Sequence, residues 1–136
     1  MRIITILTLA LTFCSACDPG VVNKYVIKNA TPFNITIESK LEYGSRSISE
    51  KDSIKVLELK PDSESLIMEY GEIGNAHDKG VKFLEGLDTI IVKSGNKRLE
   101  KDIFDQQNWK YKVLKRGLLS MDEVEYTFTL SRDDLK

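Results

Sequence analysis

The chain has 136 residues, with 20 Lys and Arg against 21 Asp and Glu, a net charge of −1, and 41% hydrophobic residues. That is one ordinary domain with enough apolar content for its own core. Its charges are interspersed, which excludes both the basic patch that nucleic acid needs and a polybasic membrane arm.

Met1-Arg2 opens the chain, and an apolar run from Ile3 to Phe13 follows, relieved only by Thr5, Thr8 and Thr12. A positive start, a short apolar run and small residues before a cut form a secretory signal. The run is too short to span a bilayer, which takes about 20 apolar residues. Cys14-Ser15-Ala16-Cys17 comes next, then Asp18-Pro19-Gly20, where Pro and Gly end any helix. Ser15, Ala16 and Cys17 resemble the lipobox of bacterial lipoproteins, Leu-(Ala/Ser)-(Gly/Ala)-Cys, with Cys14 standing where Leu is usual. The alternative register ending at Cys14 places bulky Phe13 at the cut and fits worse. Ordinary cleavage after Ala16 and an uncleaved anchor are the competing fates. The resemblance implies acylation of Cys17 and a membrane partner reached through its acyl groups. Each buried methylene contributes ~0.8 kcal/mol, so two or more chains hold stably where one does not.

The expected organisation is a signal peptide over 1–16, a lipidated cysteine and tether over 17–23, and a folded domain over 24–136. Loss of residues 1–16, which hold Arg2 and no acid, leaves 120 residues with a net charge of −2. With Cys14 removed and Cys17 acylated, the folded domain has no thiol and no disulfide. Its stability then rests on packing and backbone hydrogen bonds, and a thiol nucleophile or cysteine metal site is excluded.

Within the domain, apolar residues recur with period two. Tyr25 and Ile27 mark a first strand. Asn29-Ala30-Thr31-Pro32 is a turn, and Phe33, Ile35 and Ile37 mark a second strand, hairpin-paired with the first. Leu41 to Ser53 is a loop or weak edge. Ile54, Val56, Leu57 and Leu59 form a third strand, Pro61-Asp62-Ser63 a break, and 66–70 a fourth. Gly71, Gly74 and Gly80 bracket a loop with His77 and Asp78, followed by an apolar patch of Val81, Phe83 and Leu84. Thr89-Ile90-Ile91-Val92 reads as a central strand buried on both faces. Ser94-Gly95-Asn96-Lys97 is a tight turn returning through Arg98-Leu99, and Asp102-Ile103-Phe104-Asp105 a helical turn. Trp109, Tyr111 and Val113, then Val124, Tyr126, Phe128 and Leu130, form a last pair joined by a loop from Gly117. That pairing sets Lys110 and Lys112 near Glu123 and Glu125. The count is about seven to eight strands at the spacing of an all-β antiparallel β-sandwich, immunoglobulin-like in architecture, with a small barrel as the alternative.

The whole chain resembles the small envelope lipoproteins of unknown function common in Bacteroidota. Three stretches carry the likeness: Cys17-Asp18-Pro19-Gly20 with Tyr25-Val26-Ile27-Lys28-Asn29; Asp88-Thr89-Ile90-Ile91-Val92 with Asn108-Trp109; and Glu125-Tyr126-Thr127-Phe128-Thr129-Leu130 with Asp133-Asp134-Leu135. The likeness implies an envelope lipoprotein with a sandwich body, and brings no activity and no catalytic residues. Surface-exported lipoproteins of this type often carry an acidic run after the cysteine. Asp18 stands alone here, which favours an outer-membrane position facing the periplasm.

The chemistry-bearing residues are sparse. His77 is the single histidine, and with Glu72 and Asp78 nearby it suggests a metal or acid–base site. A lone histidine lacks zinc-ligand spacing, so a solvated polar loop is the better expectation. There is no Gly-x-Ser-x-Gly elbow, no phosphate-binding glycine loop and no carboxylate pair suited to glycoside hydrolysis. Trp109 and Tyr111 are the candidate contacts for an envelope protein or glycan partner, against the alternative that Trp109 fills the core. Asn29 and Asn34 head asparagine sequons without expected significance. Asp52-Ser53-Ile54 and Asp88-Thr89-Ile90 resemble the short O-glycosylation motif of Bacteroidota, with Ser53 preferred because Thr89 falls in an expected core strand. No catalytic residue, metal or cofactor is expected. The function anticipated is a membrane-anchored, non-enzymatic binding or accessory module. A small envelope enzyme or metal-dependent binder using the 71–80 loop, and a purely structural envelope protein, are the alternatives.

Overall fold

A computed structural model describes residues 20–41, 54–76, 83–117 and 120–136. Alternation starts at once in β1 (Gly20–Asn29), where Val21, Asn23, Tyr25, Ile27 and Asn29 are buried and the residues between them are more exposed. The same period governs β2 (Ile35–Leu41), which buries Ile35, Ile37 and Ser39. Five longer strands follow in chain order: β3 (Ile54–Leu59), β4 (Glu64–Ile73), β5 (Leu87–Ser94), β7 (Trp109–Lys115) and β8 (Asp122–Leu130). The two-residue β6 (Lys97–Arg98) separates β5 from β7.

The strands form two four-stranded sheets, ordered β4-β1-β8-β7 and β3-β2-β5-β6. This is the expected eight-stranded sandwich, not a closed barrel. Among the described residues every strand pairing is antiparallel except one: β1 runs parallel to β8, with Tyr25 opposite Tyr126 and Ile27 opposite Phe128. The inward residues of both sheets merge into one apolar core that includes Tyr25, Ile27, Ile35, Ile37, Val92, Trp109, Tyr126, Phe128 and Leu130. A bulge between Tyr25 and Val26 leaves Ile67 without an opposite residue on β1 and turns it inward, where it is buried.

The expected hairpin between the first two strands does not form, because β1 and β2 lie in different sheets. The Asn29–Pro32 turn crosses between layers instead. Asn29 explains why. Its Nδ2 donates to the carbonyls of Phe33 (2.8 Å), Lys60 (3.0 Å) and Leu59 (3.2 Å), and its Oδ1 accepts from the Thr31 amide (3.0 Å) and Thr31 Oγ1 (2.7 Å). One buried amide thus ties the end of the first sheet to the β3–β4 turn.

Four further expectations change. Residues 20–23 belong to β1 rather than to a tether, since Val21 and Asn23 are buried within the sheet. The Thr89–Val92 run is buried on one face only. Nothing among the described residues covers the other face, so Thr89 and Ile91 are exposed while Val92 points into the core. Likewise Leu57 and Leu59 turn inward on β3, whereas Ile54 and Val56 face out. The helical turn expected at 102–105 lies three residues on, as a 3-10 turn at Gln106–Asn108 capped by Asp105, whose carboxylate accepts from the Gln107 amide at 2.9 Å. Gly71 sits within β4 and does not flank the following loop.

The last pair of strands forms as expected, shifted by one step in its charge pairing. Lys112 lies opposite Glu125 and Lys115 opposite Glu123, while Lys110 faces Thr127. The Ser94–Lys97 turn also forms, with Gly95 at φ 57, a left-handed conformation that glycine adopts without steric cost.

Candidate functional site

Cys17, Ser53, His77 and Asp78 lie outside the described residues, and Trp109 and Tyr111 lie within them. Trp109 is 6% exposed, and its indole N–H donates to the Ile103 carbonyl at 2.7 Å. A satisfied indole in the core is the structural role, not a partner-facing one. Tyr111 is half-buried, and its hydroxyl donates to the Ala76 carbonyl. Both rings belong to one aromatic cluster. Tyr25 stacks on Tyr126 at 5.1 Å, Trp109 meets Tyr25 and Phe83 edge-on at 5.9 and 5.8 Å, and Tyr111 packs on Tyr126 at 5.1 Å.

Phe83 comes from a connecting turn rather than a strand. The turn is held where the Leu84 amide donates to the Tyr25 hydroxyl at 3.1 Å. Burial pushes the Tyr25 phenol up to about 12, with the Leu84 amide opposing the shift. Tyr25 therefore stays neutral at physiological pH and acts as a hydrogen-bonding strut. Among the described residues no group of three His, Cys, Asp or Glu side chains converges as a metal site.

The outward faces differ in chemistry. On the first sheet, Lys24 pairs with Glu123 at 2.9 Å. That contact raises the Lys24 ammonium above its ordinary value and lowers the Glu123 carboxyl below its own. On the second sheet, β2 contributes Glu38 and Lys40 between Ile54 and Val56 of β3 and Thr89 and Ile91 of β5. Glu38, Lys40, Ile54, Thr89 and Ile91 line a shallow depression, with Lys40 bridged to Asp88 at 3.1 Å. The sequence did not mark this surface, because Ile54 and Val56 read only as members of a strand and Ile91 as part of a strand buried on both faces. The available signal was the Val56-Leu57 step, which places apolar residues on both faces of β3. Thr89 is exposed here, so its accessibility reverses the reason for preferring Ser53. Asn29 of the first sequon is fully buried and bonded through both amide atoms.

The connectivity sorts the loops between two ends. β1 begins at the end where β2 finishes, β3 starts, β4 finishes, β5 starts, β7 finishes and β8 starts. The connections after Leu41, Ile73 and Lys115 therefore all leave from the end that holds Gly20. The turns at 30–34, 60–63 and 95–96 lie at the opposite end, where the Asn29 amide donates to Ser63 O at 2.8 Å and Ser94 Oγ to Asn34 O at 2.9 Å. At the Gly20 end Asp122 is a structural acid: one carboxylate oxygen accepts from the Gly117 amide (2.8 Å) and the other from the Ala76 amide (2.9 Å). Among the described residues no helix is long and apolar enough to cross a membrane. Comparison with family models, curated proteins and solved structures finds no match for the chain.

Proposed function

We propose that this protein is an envelope lipoprotein, anchored by acyl groups on Cys17, whose sandwich serves as a non-enzymatic binding or accessory module. The observation that carries it is the succession of Arg2, the short apolar run, Ser15-Ala16 and Cys17. The start of β1 at Gly20, only three residues past Cys17, supports it, because the folded body begins where the processed chain would leave the lipid. The anchor is assigned to the outer membrane with the sandwich facing the periplasm, on the ground that Asp18 is the lone acid after Cys17. Confinement beside a membrane raises the effective concentration of the sandwich toward an envelope protein or glycan without any added contact.

Mass spectrometry of the processed protein tests the anchor. The expected N-terminal peptide begins at Cys17 and carries two or three acyl chains, and a Cys17→Ala variant leaves the membrane fraction. An unacylated Cys17, together with unchanged fractionation of the variant, refutes the proposal. Crosslinking in intact cells then tests the binding role, with a discrete partner as the expected product.

A further inference from the structure

We infer that the Gly20 end of the sandwich rests against the lipid surface and that the Asn29 end points away from it. The inference builds on acylation of Cys17 and adds an orientation to it. Three residue steps separate Cys17 from Gly20, a reach of about 11 Å at full extension, and Pro19 restricts the backbone within it. The ten residues of β1 span about 30 Å. The tether is therefore much shorter than the body it carries, and the Gly20 end cannot move far from the bilayer.

The side chains at that end suit the position. Ile73, directly opposite Gly20, is 79% exposed, and Met121, which packs against Gly20, is 48% exposed. Leu114, at the bulge beside Glu123, is 42% exposed, and Ile54 at the start of β3 is 54% exposed. Four of the nine exposed large hydrophobic side chains among the described residues thus gather at one end. Exposed Lys115 closes β7 beside them, and exposed Arg116 follows it. The nearby acid Asp122 is turned inward onto backbone amides, and Glu123 is paired with Lys24. Asp88, bridged to Lys40, and Glu85 remain exposed at the same end. Apolar side chains flanked by cations are the composition that settles at a headgroup boundary.

The test uses the full chain processed in cells and reconstituted into vesicles of phosphatidylethanolamine and phosphatidylglycerol containing a spin-labelled quencher lipid. Ile73→Cys and Leu114→Cys report the near end and Phe104→Cys the far end, each labelled with an environment-sensitive fluorophore. The processed domain has no other free thiol if Cys17 is acylated. Side chains seated ~5–10 Å into the headgroup boundary lose roughly half their fluorescence at positions 73 and 114, while position 104 is unchanged. Equal quenching at both ends, or stronger quenching at 104, on protein whose acyl mass is present overturns the orientation alone. Protein lacking acyl mass on Cys17 overturns the anchor and the orientation together.

Discussion

Asn29→Ala is the sharpest probe of what joins the two sheets. The Asn29 amide has two protons for three carbonyls, those of Phe33, Lys60 and Leu59, so one proton is shared, and its oxygen accepts twice from Thr31. That is about four effective hydrogen bonds at roughly 1 kcal/mol net each. The Leu59 contact is fully buried, so its carbonyl also loses its partner without water to replace it. The expected loss is about 4 kcal/mol, a large share of the ~5–15 kcal/mol by which a domain is stable. Urea unfolding followed by Trp109 fluorescence reads it. At a slope of ~1–3 kcal/mol per molar the midpoint falls by about 2 M. Asn29→Asp keeps the acceptor but sets a buried carboxylate against three carbonyl oxygens, and is expected to cost at least as much at neutral pH. A loss below about 1 kcal/mol for Asn29→Ala refutes the claim that this amide staples the sheets.

Three further substitutions test separate parts of the account. Trp109→Ala should cost ~3–5 kcal/mol in urea unfolding followed by far-UV circular dichroism, since it removes the single tryptophan, whereas replacing a partner-facing tryptophan would cost under about 0.5 kcal/mol. Ser39 Oγ is buried with no hydrogen-bond partner among the described residues, so Ser39→Ala should leave the urea midpoint unchanged or raise stability by up to ~1 kcal/mol. A clear loss would show that the hydroxyl is bonded. Glu123→Gln tests the Lys24 pair through pH. The lowered Glu123 carboxyl contributes stability above its ordinary unfolded value, lost as pH falls through the folded value. The raised Lys24 ammonium contributes below its ordinary unfolded value, lost as pH rises through its folded value. The gap between parent and variant should therefore be widest near neutral pH and close at both extremes. A gap independent of pH would refute the pairing.

Local alternation made the strands legible. Val124, Tyr126, Phe128 and Leu130 point inward as their spacing demands, and Trp109 lies where a two-sheet core needs a large ring. Pairing between distant strands was not legible. The β1–β2 turn resembles a hairpin because Asn29-Ala30-Thr31-Pro32 carries turn chemistry, yet the same asparagine bonds to carbonyls some thirty positions away. Parallel pairing of β1 with β8 leaves no local trace, since no turn chemistry joins them. The run Ile90-Ile91-Val92 misled because β-branched residues suit an exposed sheet face as well as a buried one. For the same reason the Ile54, Val56 and Ile91 surface was hidden. The resemblance of Ser15-Ala16-Cys17 to a lipobox stands apart. Its information is chemical and linear, so it can be read before any fold exists.

The parallel register of β1 on β8 makes the order of synthesis matter. β1 is among the first parts of the domain to be made and β8 among the last, so roughly a hundred residues intervene before the central pair of that sheet can close. A chain truncated before Asp122 retains only the β4–β1 ribbon of the sheet, and a two-stranded ribbon is marginal in water. Such long-range closure slows folding. A partly synthesised chain can pair the β3-β2-β5-β6 sheet but cannot close the sheet packed against it, and the sandwich becomes a cooperative body only when β8 arrives.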